Sequence, residues 1–138
     1  VTTRTVTPES LGAWVIKCNP NTTDLGPMIA AGRAHENWCV ASNYRTRLMS
    51  AGQRVLFWVS AHPRRGFWGA GVVTGSAVPG PRWKIATDIE LFAEPVLASA
   101  IRNVQGLDGL EVFRSPQQSN PSWVDREQFA LLEPLLPI

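Results

Sequence analysis

The chain has 138 residues, 44% of them hydrophobic and 17% charged, enough to bury one core without staples and too apolar for a disordered protein. No apolar run approaches the ~20 residues of a membrane span, and the opening VTTRTVTPES lacks the charged-then-apolar order of a secretory signal. A single domain over residues 1–138 with no membrane partner is expected, its first ten residues forming a flexible extension and the whole cytoplasmic and monomeric.

Net charge is only +2, yet it is unevenly spread. Residues 33–84 hold Arg33, Arg45, Arg47, Arg54, Arg64, Arg65, Arg82 and Lys84 against the single acid Glu36, whereas residues 85–138 are mostly acidic. A basic segment suits a polyanionic partner if it stays together on the folded surface, and loses that meaning if the two halves mix there. Cys18 and Cys39 are the only cysteines, and in a reducing compartment two buried free thiols are expected. His35 and His62 do not complete a zinc set with them, since neither C-x-x-C nor H-x-x-x-H spacing occurs; no metal and no cofactor are expected.

In chain order, AWVIKC (13–18) reads as a strand and NPNTT as a turn. Asp24 caps a helix through LGPMIAAGR, with Pro27 tolerated in its first turn. WCVA reads as a short strand and YRTRLMSA as a short helix ended by Gly52. QRVLFWVS is almost continuously apolar, which predicts a central strand buried on both faces. AHPRRG is a hairpin candidate with Arg64 and Arg65 at its tip. The glycines of GFWGAGVVTG suggest bends or the close approach of another backbone. RWKIATDIELFAEP alternates, placing Trp83, Ile85, Thr87, Ile89 and Leu91 on one face, and Pro95 is expected to end the strand. VLASAIR reads as a helix, LDGLEVFRSPQQSNPSWV as mostly irregular, and Asp125 with Gln128 as the capping box of a final helix REQFALLEPL. Strands dominate with short helices between them. This predicts an α+β fold: a small closed barrel of five to six strands with helices packed outside, which also removes exposed sheet edges.

Several segments resemble the EVE domains of the PUA-like superfamily, relatives of the YTH readers of methylated RNA. WVIKCNP resembles the opening Trp, two apolar residues and Lys-Ser-Glu-Pro of that family, with Trp14, Lys17 and Pro20 matching and Cys18 and Asn19 departing. WCVASNYRTRLM resembles its Trp-Asp-Gly-Val-Arg-Asn-Tyr-Gln-Ala-Arg segment through Trp38, Asn43, Tyr44 and Arg47, with Cys39 and Val40 in place of Asp-Gly. AGQRVLFWVS is similar to Gly-Asp-x-Val-Leu-Phe-Tyr-His-Ser, RWKIATDIELFAEPV to Trp-x-x-Val-Asp-Val, and SNPSWVDREQFALLEPL to the closing helix. The resemblance spans nearly the whole chain and implies a PUA-like barrel of bacterial type that takes a modified nucleobase from DNA or RNA into an aromatic pocket.

On that resemblance Trp38 and Trp83 are the cage walls, and Lys17, Cys18, Asn19, Asn43, Tyr44 and Ser60 complete the base-binding set. Arg45, Arg47, Arg64 and Arg65 are the expected contacts to the nucleic-acid backbone. Ordinary structural roles compete for each: both tryptophans as barrel core, Asn19 as a turn residue, Asn43 as a cap, Arg64 and Arg65 as a solvated turn. Trp14 and Trp58 are assigned to the core. No nucleophile–base–orienter set, P-loop or Rossmann glycine pattern is present, so binding rather than catalysis is expected. Two alternatives stay open: an ASCH-like amidohydrolase using Lys17 with Thr22 or Thr23 and Glu36, and a protein-interaction module.

Overall fold

A computed structural model describes residues 5–138. Its β-branched and aromatic runs form six strands: β1 (Leu11–Cys18), β2 (Asn37–Val40), β3 (Arg54–Val59), β4 (Gly66–Val73), β5 (Trp83–Leu97) and β6 (Ser122–Asp125). They join in one sheet of order β2-β5-β4-β3-β1-β6. Neighbours are antiparallel except β1 and β3, which run parallel in the register Trp14↔Val55 to Cys18↔Val59. The parallel pair needs a crossover, supplied by α1 (Gly26–Ala31), β2 and α2 (Tyr44–Leu48).

The sheet curls into a half-barrel. Trp38 of β2 and Phe57 of β3 stand three places apart in the strand order, yet their ring centroids are 5.3 Å apart. A flat sheet with strands ~4.8 Å apart could not bring them together. The inner core gathers Trp14, Ile16, Val55, Phe57, Ile85 and Ile89, joined by Leu25 just before α1 and Met28 within it. The intervening residues of β1 and β3, Ala13, Val15, Leu56 and Trp58, face outward. There they pack under α3 (Ala98–Arg102), α4 (Glu111–Arg114) and α5 (Arg126–Leu132). β3 is thus buried on both faces, as its apolar run predicts, and the expected α+β small barrel with outer helices is the architecture found. No helix among the described residues is long and apolar enough to cross a membrane.

Several local expectations hold for the reasons given. Asp125 accepts from the Gln128 amide while Gln128 accepts from the Asp125 amide, a complete capping box. β3 and β4 form the predicted hairpin. Gly66 and Gly71 lie so close to β5 that an added methyl would collide with the carbonyls of Val96 and Asp88.

Other expectations need correction. α2 stops at Leu48 because Met49 is already extended; Gly52 lies beyond, in a turn with φ +91°. Pro95 does not end β5. The register jumps from Gly69↔Leu91 to Phe67↔Val96, so residues 92–95 bulge out of the ladder and Pro95 occupies a position that needs no N–H. The segment read as irregular contains both α4 and β6. The flexible extension expected over residues 1–10 lies partly outside the described residues. Within them, Val6 is buried in the inner core and Thr7 and Ser10 close a hydrogen-bonded turn.

Candidate functional site

The half-barrel has a seam where its outer strands meet. Just after β2, the Ala41 amide donates to the carbonyl of Asn120, just before β6, at 2.8 Å. Asn120 is held in turn by β1: its Oδ1 accepts from the Lys17 amide at 2.8 Å, and its Nδ2 donates to the Lys17 carbonyl at 3.1 Å. The side chain thereby imitates one more strand residue and extends the β1–β6 ladder past its last backbone pair.

A cavity of about 440 Å³ opens on this seam, lined by Cys39 to Ser42 from the β2 end, Pro81 to Trp83 from the start of β5, and Ser119 and Asn120. Trp83 pairs with Val40 across the β2–β5 ladder and is half-buried at the rim. The lining thus includes the aromatic Trp83, the cation Arg82 and the hydroxyl residues Ser42 and Ser119, while the side-chain amide of Asn120 is engaged with the Lys17 backbone. Its volume lies within the usual range for small-ligand pockets, and it combines an aromatic residue with a few polar ones.

Beneath the seam lies a buried ion pair. Arg45 donates in a fork to Glu111 at 2.7 and 2.9 Å, and also to the Pro121 carbonyl at 3.2 Å. Burial opposes the charge on Arg45, but the hydrogen bonds and charge of Glu111, helped by Tyr44, outweigh it and raise its pKa. Lys17 is near enough to feel both partners. Burial pushes its pKa down, Glu111 opposes that shift, and Arg45 adds to it.

The structure separates the residues expected to form one pocket. Trp83 lines the seam cavity. Trp38 does not: it is 8% exposed, its indole N–H donates to the His35 carbonyl at 2.9 Å, and its ring packs in the inner core. Cys18 is likewise in the inner core, its thiol pushed up to about 11 by burial. The Lys17 ammonium is taken by the carbonyls of Pro116 and Gln118. Asn19 is a turn residue whose Oδ1 accepts from Asn21, and Asn43 caps α2 by accepting from the Arg45 and Thr46 amides. The Tyr44 hydroxyl accepts from the Val6 amide, tying down the N-terminal segment. Ser60 donates to the Cys18 carbonyl and faces a different, smaller cavity.

Among the expected backbone contacts, Arg45 must be reassigned: its guanidinium is committed to Glu111 and Pro121 inside the fold, not to phosphate. Arg64 pairs with Glu94, whereas Arg47 and Arg65 are exposed and form no ion pair among the described residues. Of the two thiols expected to be buried and free, both are free but Cys39 is exposed. The Lys17, Thr22 or Thr23 and Glu36 set is not assembled: Thr22 donates to Asn19, and Glu36 lines a separate groove with Arg33 and Asp88.

Sequence reasoning passed over Asn120, Arg82, Ser119 and Glu111. The available signals were an asparagine before a proline, an arginine beside the strand-opening Trp83, and a lone acid in the apolar run LEVF.

The chain matches no protein-family model and no curated protein sequence. Solved structures do match it. A Pseudomonas syringae protein is 20% identical with a TM-score of 0.66, covering 91% of this chain and 100% of its own. A Rhodopseudomonas palustris protein is 19% identical with a TM-score of 0.69, covering 89% and 91%. A hypothetical protein from Leishmania major is 18% identical with a TM-score of 0.68, covering 92% and 95%. Similarity at that level establishes a shared fold.

Proposed function

We propose that this protein is an EVE-like, PUA-type module that binds a modified nucleobase displayed by DNA or RNA, and that the base enters the seam cavity. The observation that carries the reading is the composition of that cavity: Trp83 to stack on the base, with Arg82, Ser42 and Ser119 in the lining to address the polar edge of a flat ring. The base leaves its strand to enter, and exposed arginines hold the neighbouring phosphates. Trp38 supports the cavity from within the barrel and is not a second stacking wall.

The test is titration with short single-stranded oligonucleotides carrying 5-methylcytosine, 5-hydroxymethylcytosine or N6-methyladenine, beside unmodified controls. Wild type is expected to prefer at least one modified strand. Trp83→Ala should weaken that binding roughly 5- to 150-fold, as loss of a stacked base does, when titrated well below the variant's own melting temperature, since the side chain also packs against the inner core. Trp38→Ala should instead cost about 3–5 kcal/mol of stability, as emptying an aromatic core site does. Equal binding of all strands, or wild-type binding by Trp83→Ala, would overturn the proposal.

A further inference from the structure

A second, smaller cavity lies beyond the loop that carries Pro116. Its volume is about 80 Å³, and its walls include Trp58, Ser60, Arg65, Arg102, Phe113 and Pro116. That is well below the usual size of a pocket for an organic ligand and suits a compact ion. Its two arginines come from different elements held in register. Arg65 sits at the end of the β3–β4 hairpin, and its carbonyl accepts from the Ala98 amide at the start of α3. Arg102 closes α3, its guanidinium carbon 4.3 Å from the centre of the Phe113 ring. The stacking orients the plane of the guanidinium. Ser60 is fixed by the donation of both its amide and its hydroxyl to the Cys18 carbonyl.

The charge around this cavity is unbalanced. Arg33, Arg45 and Arg64 each have a carboxylate partner, in Asp88, Glu111 and Glu94. Arg65 and Arg102 form no ion pair among the described residues, and no acid lines the cavity. Lys17 lies close by, its ammonium donating to the Pro116 carbonyl at 3.3 Å, with Glu111 partly offsetting its charge.

We infer that this cavity is a phosphate-binding subsite, in which Arg65 and Arg102 grip one tetrahedral phosphate group from two sides. Paired arginine forks match phosphate oxygens in geometry and charge. The group is either a phosphodiester within a strand or a free phosphate; the chemistry of recognition is the same. The site stands apart from the base-binding proposal and does not require it.

The experiment follows the backbone amide resonances of Ser60, Arg65, Arg102 and Phe113 in isotope-labelled protein. The probes are inorganic phosphate, sodium chloride at matched ionic strength, and an unmodified oligothymidylate. Saturable shifts are expected with phosphate or with the oligonucleotide and not with chloride. A response to free phosphate identifies an accessible ion site, and a response to the oligonucleotide alone identifies a strand phosphate as the occupant. Arg65→Gln and Arg102→Gln should each weaken the response about tenfold, the loss of a charge-assisted hydrogen bond. Arg102→Lys should retain part of it. Melting curves check folding, and Arg65→Gln, at an exposed hairpin position, decides the matter should Arg102→Gln loosen α3. Trp83→Ala must leave these shifts unchanged, which separates this site from the seam cavity. Shifts that are absent with both phosphate probes, that chloride reproduces, or that keep wild-type affinity in Arg65→Gln would overturn the inference.

Discussion

Cys18 lies among the inner-core residues at the end of β1, whereas Cys39 faces the seam cavity from β2. With its thiol near 11, Cys18 holds about one thiolate in a thousand at pH 8 and is also shielded. Iodoacetamide at that pH is therefore expected to label Cys39 alone in the native protein and both cysteines after denaturation; mass mapping that finds Cys18 labelled first would contradict the assignment. The same shift has a pH consequence. Because the folded-state value is raised from about 9, the unfolded chain gives up this proton first, so the contribution is full below pH 9 and is lost as pH rises toward 11. Wild type should lose melting temperature faster across that window than Cys18→Val. Trp38 and Trp83 show where residue-level reading stops. The alternation of β5 places Trp83 in phase with Ile85 and Ile89, and alternation on β2 turns Trp38 and Val40 inward. Phase was legible in the sequence. Which of these residues stands at a rim was not, because the rim exists only where β2 and the residues before β6 come together.

Single elements were legible to the extent that their signals are local. The capping box, the β3–β4 hairpin and the glycines facing β5 each follow from a residue type answering a backbone need. β6 was missed because its four residues carry little pattern of their own; they become a strand by pairing with the otherwise open edge of β1. Pro95 misled for the complementary reason: its missing N–H ends a strand only where a ladder bond is due, and the bulge over residues 92–95 removes that requirement. The Arg45–Glu111 pair joins α2 to α4 over a separation of 66 residues, a contact no local pattern announces. Arg45→Met should cost about 3–5 kcal/mol in urea unfolding, since it leaves a buried carboxylate uncompensated. Adding Glu111→Leu should recover part of that loss by removing the stranded charge. A double variant less stable than the single one would show that the two side chains do not act as a pair.

Across the molecule, the basic and acidic halves of the sequence interleave rather than forming two poles: Arg33, Arg45 and Arg64 reach Asp88, Glu111 and Glu94 of the acidic half. On the proposed function, contact with nucleic acid would fall to exposed cations outside such pairs, among them Arg47, Arg82 and Lys84. Replacing Arg47 and Arg82 by Gln should reduce the slope of log affinity against log salt by about 1.4 on single-stranded nucleic acid, two phosphate contacts at about 0.7 each. Arg33→Gln with Arg64→Gln should change it less, and equal changes in the two double variants would refute this division of labour. An α+β small barrel with helices outside was legible because strand runs and turn formers alternate along the chain; that it stays a half-barrel rather than closing was not, nor was the seam, made by residues 41 and 120 together. One feature of the topology also bears on how the protein is made. Of the six strands, β1 is made before the others and lies between β3 and β6, the last of the six to be made. A chain emerging N-terminus first therefore carries β1 with one side unfilled until residues 122–125 have left the ribosome, and an unfilled strand edge offers its amides and carbonyls to any neighbouring chain. The edge of β1 is thus open to pairing with a wrong partner until β6 docks on it.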